Sequence, residues 1–347
     1  MAYAQSKDQL CYVLVESTFG QIPNTAGVAT IGNNNACLVT ELKLDAAQPT
    51  IDRPDKTGSL DYVIGQPGRR SGKWNARMSC AGNGAAGNPP DMGPFLSGLF
   101  NAAPTVVAST SVAYATADTT PQLSLSIYSF RKPGTVSQQV SLGSIVDSAT
   151  WTIGQDVFDV ALSGTSVWVL DSDEYNSLTS GSPGLGGLKA HSAGGNFPTE
   201  PTAPVTNGNF AQGFVGSISL NGNVYQTIRT ATINMKMNRT VPQDEFNNFY
   251  GNTTDAERRK ITGSINLYDD DSVNLTALKL AAKSKTPIAL SFQIGATPGN
   301  IWTFTLPNVL LDPVTYDDSR PRYTANFDWN AYSTGILTRD AIGLTLT

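Results

Sequence analysis

Apolar side chains recur at every second position in several segments of this chain. The clearest runs are Leu123, Leu125 and Ile127; Ile233, Met235 and Met237; Ile288, Leu290, Phe292 and Ile294; Trp302, Phe304 and Leu306; and Tyr323, Ala325, Phe327 and Trp329. Alternation with period two places one face of a strand in a core and the other in solvent, which is typical of antiparallel sheets. The sequence therefore predicts a mainly β protein.

Turn signals and a few helices complete this interpretation. Asn221-Gly222 between two apolar runs predicts a two-residue hairpin turn, and Ser163-Gly164 predicts a second turn of the same kind. Ser272 is a suitable N-cap for a helix over 273–283, and Asp91 is a candidate cap for a short helix that contains Phe95–Phe100. A third helix is predicted over 242–250.

One order of elements occurs twice along the chain. Leu42 and Trp74 are 32 positions apart, and so are Ile233 and Ile265, which lie 191 positions further on. In each copy a strand, a long polar loop, a strand, a helix and another strand follow one another. The recurrence of one order of elements at a fixed offset indicates an internal repeat. We therefore expect two tandem β-sandwich or barrel domains, each with a short flanking helix and a long loop, over residues 1–132 and 133–347. The second contains an irregular Gly/Pro-rich excursion at about 181–213.

The two long loops are the candidate functional segments, because structureless loops beyond about 12–15 residues are uncommon unless they are functional. The first, 46–73, mixes charges of both signs with aromatic and aliphatic side chains, as a complementary partner surface requires. Its candidate residues are Arg53, Asp55, Lys56, Asp61, Tyr62, Arg69 and Arg70. The candidates in the second loop, 239–260, are Asp244, Glu245, Arg258 and Arg259.

Composition argues against catalysis, cofactors and tight nucleic-acid binding. The chain has one histidine, His191, within a Gly-rich stretch, and three cysteines in no metal-binding spacing. A net charge of −5 does not favour a groove that grips phosphates. Residues 82–87 match GxGxxG, but Pro89-Pro90 follows where a dinucleotide-binding helix should begin. We therefore predict no catalytic residues, no metal site, no cofactor and no enzymatic activity.

Several segments resemble the major tail tube proteins of long-tailed, siphovirus-like bacteriophages. In the C-terminal half these are RRKITGSI at 258–265, PIALSFQIG at 287–295, PGNIWTFTLP at 298–307, DPVTYDD at 312–318 and DAIGLTL at 340–346. Near the N-terminus, VESTFGQIP at 15–23 is similar to the family's opening, where a Glu precedes an aromatic-Gly pair and a proline.

The resemblance implies a structural virion protein of the phage tail, made in the host bacterial cytoplasm, that stacks as rings around a channel for viral DNA. With two tube domains a chain is expected to form a trimeric ring with pseudo-sixfold symmetry, and a hexameric ring is the alternative. The implied partners are other copies of the chain, the tape measure protein and the tail terminator and baseplate proteins, without sequence-specific DNA binding and without a membrane. The loop 46–73 would then join one ring to the next, and the net charge predicts an acidic channel.

Two other classes of function stay open at this point. A carbohydrate-binding or adhesin-type β-sandwich protein would share this composition. A hydrolase that uses an acid pair such as Asp171 and Asp173 is the enzymatic alternative.

Overall fold

The computed structural model describes residues 8–20, 24–25, 28–29, 31–53, 63–119, 121–131, 138–154, 158–177, 197–202, 205, 210–225, 228–242, 251, 253–270, 272–319 and 321–347. About half of the described residues lie in strands (52%), so the predicted mainly β class is confirmed. The predicted helix over 242–250 and most of the excursion at 181–213 lie outside the described residues.

The largest element is an antiparallel sheet of eight strands, which we call the large sheet. Its strands, in spatial order, are β5 (Glu41–Ala47), β8 (Ser71–Ser79), β13 (Phe158–Ser166), β12 (Gln139–Ile153), β17 (Ile228–Lys236), β20 (Lys260–Tyr268), β24 (Thr324–Ala331) and β23 (Thr315–Asp317).

A second antiparallel sheet, the cover sheet, packs on one face of the large sheet and is joined to it where residues 309–311 pair with β24. Its spatial order is β9 (Thr105–Val107), β10 (Ser111–Ala115), β25 (Gly343–Leu346), β22 (Trp302–Leu311), β21 (Ile288–Ile294), β15 (Gly216–Leu220) and β16 (Asn223–Tyr225). Aromatic rings connect the two sheets, with ring centroids 5.2 Å apart for Trp151 and Phe304 and 5.7 Å apart for Phe158 and Trp302.

A third, smaller sheet extends the large sheet along β12. It contains β4 (Ala36–Cys37), β1 (Gln9–Val15), β11 (Leu125–Arg131), the first part of β12, and β14 (Trp168–Asp171). The remaining strands form three two-stranded ribbons: β2 (Asn24–Thr25) with β3 (Val28–Ala29), β6 (Thr50–Arg53) with β7 (Val63–Pro67), and β18 (Arg239–Thr240) with β19 (Asp255–Ala256).

In the part of the chain that the structure describes, three α-helices pack beside these sheets: α1 (Gly93–Phe100), α2 (Ser172–Ser177) and α3 (Val273–Ser284). The Ser272 cap of α3 is confirmed, because its side chain accepts a hydrogen bond from the Leu275 amide. The expected Asp91 cap of α1 is wrong: Met92 occupies the N-cap position, without a side-chain cap, and Pro94 lies within the first turn. Proline is preorganised for that position, since its missing N–H would find no partner inside the helix there.

The two predicted hairpin turns have different outcomes. Asn221 and Gly222 both have positive φ, 51° and 81°, and join β15 to β16 with Leu220 opposite Asn223, which confirms a two-residue turn. Gly164 instead lies inside β13, opposite Trp74. A Cβ at Gly164 would lie 2.8 Å from Trp74 Nε1 and 1.8 Å from the Ile145 carbonyl oxygen. This glycine therefore provides room for a crossing indole ring rather than a turn.

The segments of the predicted repeat form two antiparallel strand pairs, β5–β8 and β17–β20, whose registers differ. Leu42 pairs with Ala76 between β5 and β8, so an offset of 191 would place Ile233 opposite Leu267. Ile233 instead pairs with Gly263 between β17 and β20, four residues away. Because side chains alternate with period two, a shift by an even number keeps the same residues in the core. The repeated strand pairs therefore keep their buried faces despite the shift.

The two predicted repeats share one sheet and one core. The β5–β8 pair joins the β17–β20 pair through β13 and β12, with Trp151 opposite Ile233. Buried side chains of both repeats belong to a single hydrophobic cluster, which includes Leu44, Trp74, Ile233 and Ile265. The division at residues 132 and 133 stays a prediction.

A buried carboxylate fixes the start of the chain to the small sheet. The Glu16 side chain accepts hydrogen bonds from the Gly20 amide (2.8 Å), the Gly143 amide (2.9 Å), Ser124 Oγ (2.6 Å) and Ser126 Oγ (2.8 Å). Gly143 has φ 57°, and a Cβ there would lie 2.4 Å from Val167 Cγ2. Burial raises the pKa of Glu16, and these four donors oppose that shift by stabilising the ionised form.

A buried arginine connects the second repeat to the helix of the first. Arg239 in β18 is 2% exposed, and its guanidinium donates to the Gly98 (2.5 Å), Leu99 (3.1 Å) and Val146 (3.3 Å) carbonyl oxygens. Gly98 and Leu99 are in the last turn of α1, where carbonyls lack helical partners and the helix dipole favours a cation. Burial lowers the pKa of Arg239 to about 10, which leaves the side chain charged at neutral pH.

Replacement of this arginine tests the link between the repeats. Arg239→Met should lower the free energy of unfolding by about 2–4 kcal/mol, because buried carbonyls lose a charged donor. Urea unfolding followed by tryptophan fluorescence measures the change. Lys236→Met, at an exposed position on the neighbouring strand, is the matched control and should shift stability by less than about 0.5 kcal/mol. Equal effects of the two substitutions would contradict the role of Arg239.

Candidate functional site: the loop end of the large sheet

Both predicted loops leave the large sheet at the same end. Ala46 pairs with Gly72 at the end of β5 and β8, and Lys236 pairs with Lys260 at the end of β17 and β20. The register through β13 and β12 places these two pairs at the same end of the strands. We call this the loop end. Four strand spacings separate β8 from β20, or about 19 Å.

The first loop begins as a short ribbon. Arg53 is the last residue of β6 and its backbone pairs with Val63 in β7. Ile51, on the same ribbon, has 59% of its surface exposed. Arg69 and Arg70 lie between β7 and β8 and are half-buried. Asp55, Lys56, Asp61 and Tyr62 lie outside the described residues, so their role stays a prediction.

Arg70 is engaged within its own chain. Its guanidinium forms an ion pair with Glu174 of α2 and lies 4.5 Å from the ring centroid of Trp168. Trp168 Nε1 donates to the other Glu174 oxygen at 3.2 Å. These contacts hold the base of the first loop against β14 and α2. Asp171, from the acid pair of the hydrolase alternative, accepts a hydrogen bond from the Glu174 amide and thereby caps α2.

The second loop contributes a charged cluster at the loop end. Arg259 and Arg339 both form ion pairs with Asp118, the latter at 2.6 Å. The Arg258 carbonyl accepts a hydrogen bond from Asn238 Nδ2. Arg258 and Arg259 line an open cavity of about 640 Å³ together with Tyr332 and Ile336. Asp244 and Glu245 lie outside the described residues.

A third loop at this end, residues 332–340, was not identified from the sequence. It follows Ala331, which pairs with Ile261 at the loop end. The Asp340 carboxylate accepts hydrogen bonds from Ser333 Oγ (2.8 Å), the Thr334 amide (2.9 Å) and Thr338 Oγ1 (2.8 Å). A further hydrogen bond from Thr334 Oγ1, together with these bonds, holds the pKa of Asp340 well below its usual range. The Ser/Thr/Gly/Asp composition indicated only a turn, whereas the hydrogen bonds show a braced loop.

The outer face of the large sheet is the other extended surface. Its central part has small polar side chains from four adjacent strands: Ser148, Thr150, Thr152, Thr232, Asn234, Thr262, Ser264, Asn266, Asn326 and Asn330. Charged side chains flank them: Glu41, Lys43, Asp45, Lys73, Arg77, Asp159, Lys236, Lys260 and Asp328. Five of these are basic and four acidic, so the face is close to neutral.

Within the described part of the chain, no three His, Cys, Asp or Glu side chains lie close enough to hold a metal ion. In the same residues, no helix is long and apolar enough to cross a membrane. The three cysteines are free and buried, and burial raises the pKa of each thiol. Loops, strand edges and a polar sheet face are the extended surfaces of the described residues, and such surfaces are typical of a structural protein.

Comparison with known families agrees with this class. The phage tail tube protein family matches residues 6–331, which is nearly the whole chain. The chain therefore belongs to the phage tail tube protein family, and it is a structural component of the virion tail. A search of curated proteins finds no match. The resemblance to tail tube proteins that the sequence segments between residues 15 and 23 and between 258 and 346 indicated is confirmed.

Proposed function

We propose that this protein polymerises as stacked rings and forms the phage tail tube, a non-catalytic conduit through which viral DNA passes into the host. Family membership supports self-assembly into a tube. The eight-stranded large sheet is the main support for a ring. It contains one strand pair from each predicted repeat, and it ends in an edge strand that could pair with a strand of another copy.

The edge of the large sheet is formed by β5. Among the described residues, β8 is the only strand that pairs with β5. Glu41, Lys43 and Asp45 point to the outer face and are exposed. A seven-residue edge strand presents unpaired backbone groups and is a template for another strand. We infer that β5 of one copy pairs with the β23 side of the next copy, which would continue the sheet around a channel.

The repeat sets the number of copies. If each repeat occupies one sixth of the ring, three chains close it with pseudo-sixfold symmetry. Such a ring is a closed assembly of identical head-to-tail contacts. A hexameric ring, with one repeat of each chain at the channel, is the alternative.

Disulfide crosslinking tests both the edge contact and the number of copies. Glu41→Cys, Lys43→Cys or Asp45→Cys is combined with Thr315→Cys in assembled protein. The two margins are seven strand spacings apart along the large sheet, or about 34 Å, and a disulfide within one chain would run as a monomer on a non-reducing gel, so only bonds between chains give a ladder. The native cysteines are buried and do not compete.

At least one double variant should give an oxidised ladder that ends at three chains on a non-reducing gel. Single-cysteine variants are the controls and should stop at dimers. A ladder that ends at six would replace the trimeric ring with the hexameric one. Assembled tubes in which no double variant crosslinks would contradict the edge contact.

The polar outer face is the proposed channel wall. Small hydroxyl and amide side chains with balanced charges offer DNA no surplus of cations, and binding to phosphates depends on such cations. The whole-chain charge predicted an acidic wall, but the proposed face is nearly neutral. DNA would slide here because it is weakly held, rather than because it is strongly repelled.

Lysines on this face should convert a passive wall into a DNA-binding one. Tubes of the Thr150→Lys/Thr262→Lys variant should retain short duplex DNA in sedimentation at low salt and release it as salt rises. The control is Thr276→Lys/Ala277→Lys, which adds the same charge on the exposed face of α3. Equal DNA retention by both variants would show that the outer sheet face does not line the channel.

We also propose that the first loop contacts the next ring. Arg70 holds the base of its β6–β7 ribbon, and the residues proposed to make the contact are Arg53, Asp55, Lys56, Asp61 and Tyr62. The second loop, with Arg258 and Arg259, leaves the same end and is a second contact of this kind.

A shortened first loop tests this contact. Because Arg53 already pairs with Val63, residues 54–62 can be replaced by a short Asn-Gly turn that closes the ribbon. Circular dichroism should show an unchanged β signal, since shorter loops have little closure cost. Electron microscopy should show rings or short stacks instead of long tubes. Long tubes of normal axial repeat would contradict the stacking role.

A further inference from the structure

The 332–340 loop displays two large apolar side chains at its tip. Ile336 is fully exposed (101%) and Leu337 is 79% exposed. The loop is nevertheless held in one shape: in addition to the Asp340 bonds, the Gly335 amide donates to Thr338 Oγ1 at 2.9 Å. An apolar tip on a braced loop loses little conformational freedom on binding, which favours a role as an anchor.

A groove with exposed apolar side chains lies at the opposite end of the large sheet. It has a volume of about 460 Å³ and is lined by Ile153, Phe214, Val224, Ile228 and Ile294. Phe214 is 66% exposed and Val224 is 58% exposed. The volume is within the range of about 300–1,000 Å³ that is typical of pockets that enclose a ligand group.

One charged side chain, Arg229, also lines the groove. Arg229 donates from Nη1 to Asn266 Oδ1 at 3.1 Å, and its guanidinium lies 5.6 Å from the Tyr268 ring centroid. Its Nε is buried and has no hydrogen-bond partner in the described structure. Arg229 is thus held within its own chain, and the contacts that the groove offers are its apolar side chains. The groove therefore fits a segment of polypeptide that displays exposed apolar side chains.

Loop and groove lie at opposite ends of the same strands. Ile228 and Ile153 mark the groove, whereas Lys236, Lys260 and Ala331 mark the loop end. Eight residue steps along β17 correspond to about 26 Å. The loop therefore cannot reach the groove of its own chain. Two complementary patches at opposite ends make a head-to-tail contact, which repeats without closing when copies are displaced along one axis.

We propose that the 332–340 loop of one copy inserts Ile336 and Leu337 into the groove at Phe214, Val224 and Arg229 of a second copy in the adjacent ring. This inference rests on the proposed tube assembly and adds a specific contact to it. The occupant is a second copy because the chain itself presents both halves of the contact at opposite ends of one sheet, and because its family assembles into a tube.

Disruption of the loop tip is the first test. Ile336→Asp/Leu337→Asp should leave the circular dichroism spectrum unchanged, because both side chains are exposed in the single chain. It should raise the protein concentration needed for tube growth at least tenfold. The control is Val273→Asp/Leu280→Asp on α3, which replaces two apolar side chains of comparable exposure (86% and 65%) and should leave tube growth unchanged.

Crosslinking separates this inference from the proposed function. Leu337→Cys combined with Phe214→Cys or Val224→Cys should give disulfide-linked ladders that extend well beyond one ring. If the wild-type chain forms tubes, but no double variant crosslinks and the Asp variant assembles normally, the inference is wrong and the tube function stands. If the wild-type chain does not form tubes under any assembly condition, the tube function and this contact both fail.

Discussion

The hydrogen-bonded pairing of β12 and β13 between the two repeated strand pairs is the constraint on which the rest of the structure depends. β13 pairs with β8 over eight residues, and β12 pairs with β17 over six. These ladders combine both repeats into one sheet and fix which side chains face the cover sheet. A one-residue slip at either ladder would turn Trp151 or Val160 towards solvent. The common end of the loops, the polar outer face and the exposed edge all follow from this register.

Two buried charged groups support this sheet from its sides. Arg239 attaches the strand after β17 to the last turn of α1, and Glu16 attaches the chain start to the bend in β12 at Gly143. Each forms hydrogen bonds to groups distant in sequence, Arg239 to α1 and Glu16 to Ser124, Ser126 and Gly143. An unpaired charge in either place would be costly, so these contacts permit only the correct arrangement of the elements they join.

The local features of the fold could be predicted from the sequence, whereas its long-range features could not. Alternation identified the β class and many core residues, Ser272 identified the start of α3, and Asn221-Gly222 identified a turn, because each depends on neighbours along the chain. Gly164 was misinterpreted as a turn residue. A glycine is needed there because the indole ring of Trp74, 90 positions earlier in the chain, leaves no room for a side chain. The four-residue register shift, the Arg239 contact and the common loop end likewise depend on pairing between distant segments.

Of the candidate site, Arg70 and Arg259 were identified as charged loop residues, but their partners Glu174 and Asp118 were not. The 332–340 loop was not identified, because a Ser/Thr/Gly/Asp-rich segment is typical of any turn and does not indicate hydrogen bonds that hold a loop in one shape.

The central claim is that one chain contributes two repeats to a continuous wall around the channel. Electron cryomicroscopy of assembled tubes tests this claim most directly. The account predicts three chains per ring, six repeats around the axis, the outer face of the large sheet towards the channel, and β5 beside β23 of the neighbouring chain. A reconstruction with six chains per ring, or with this face directed away from the channel, would contradict it.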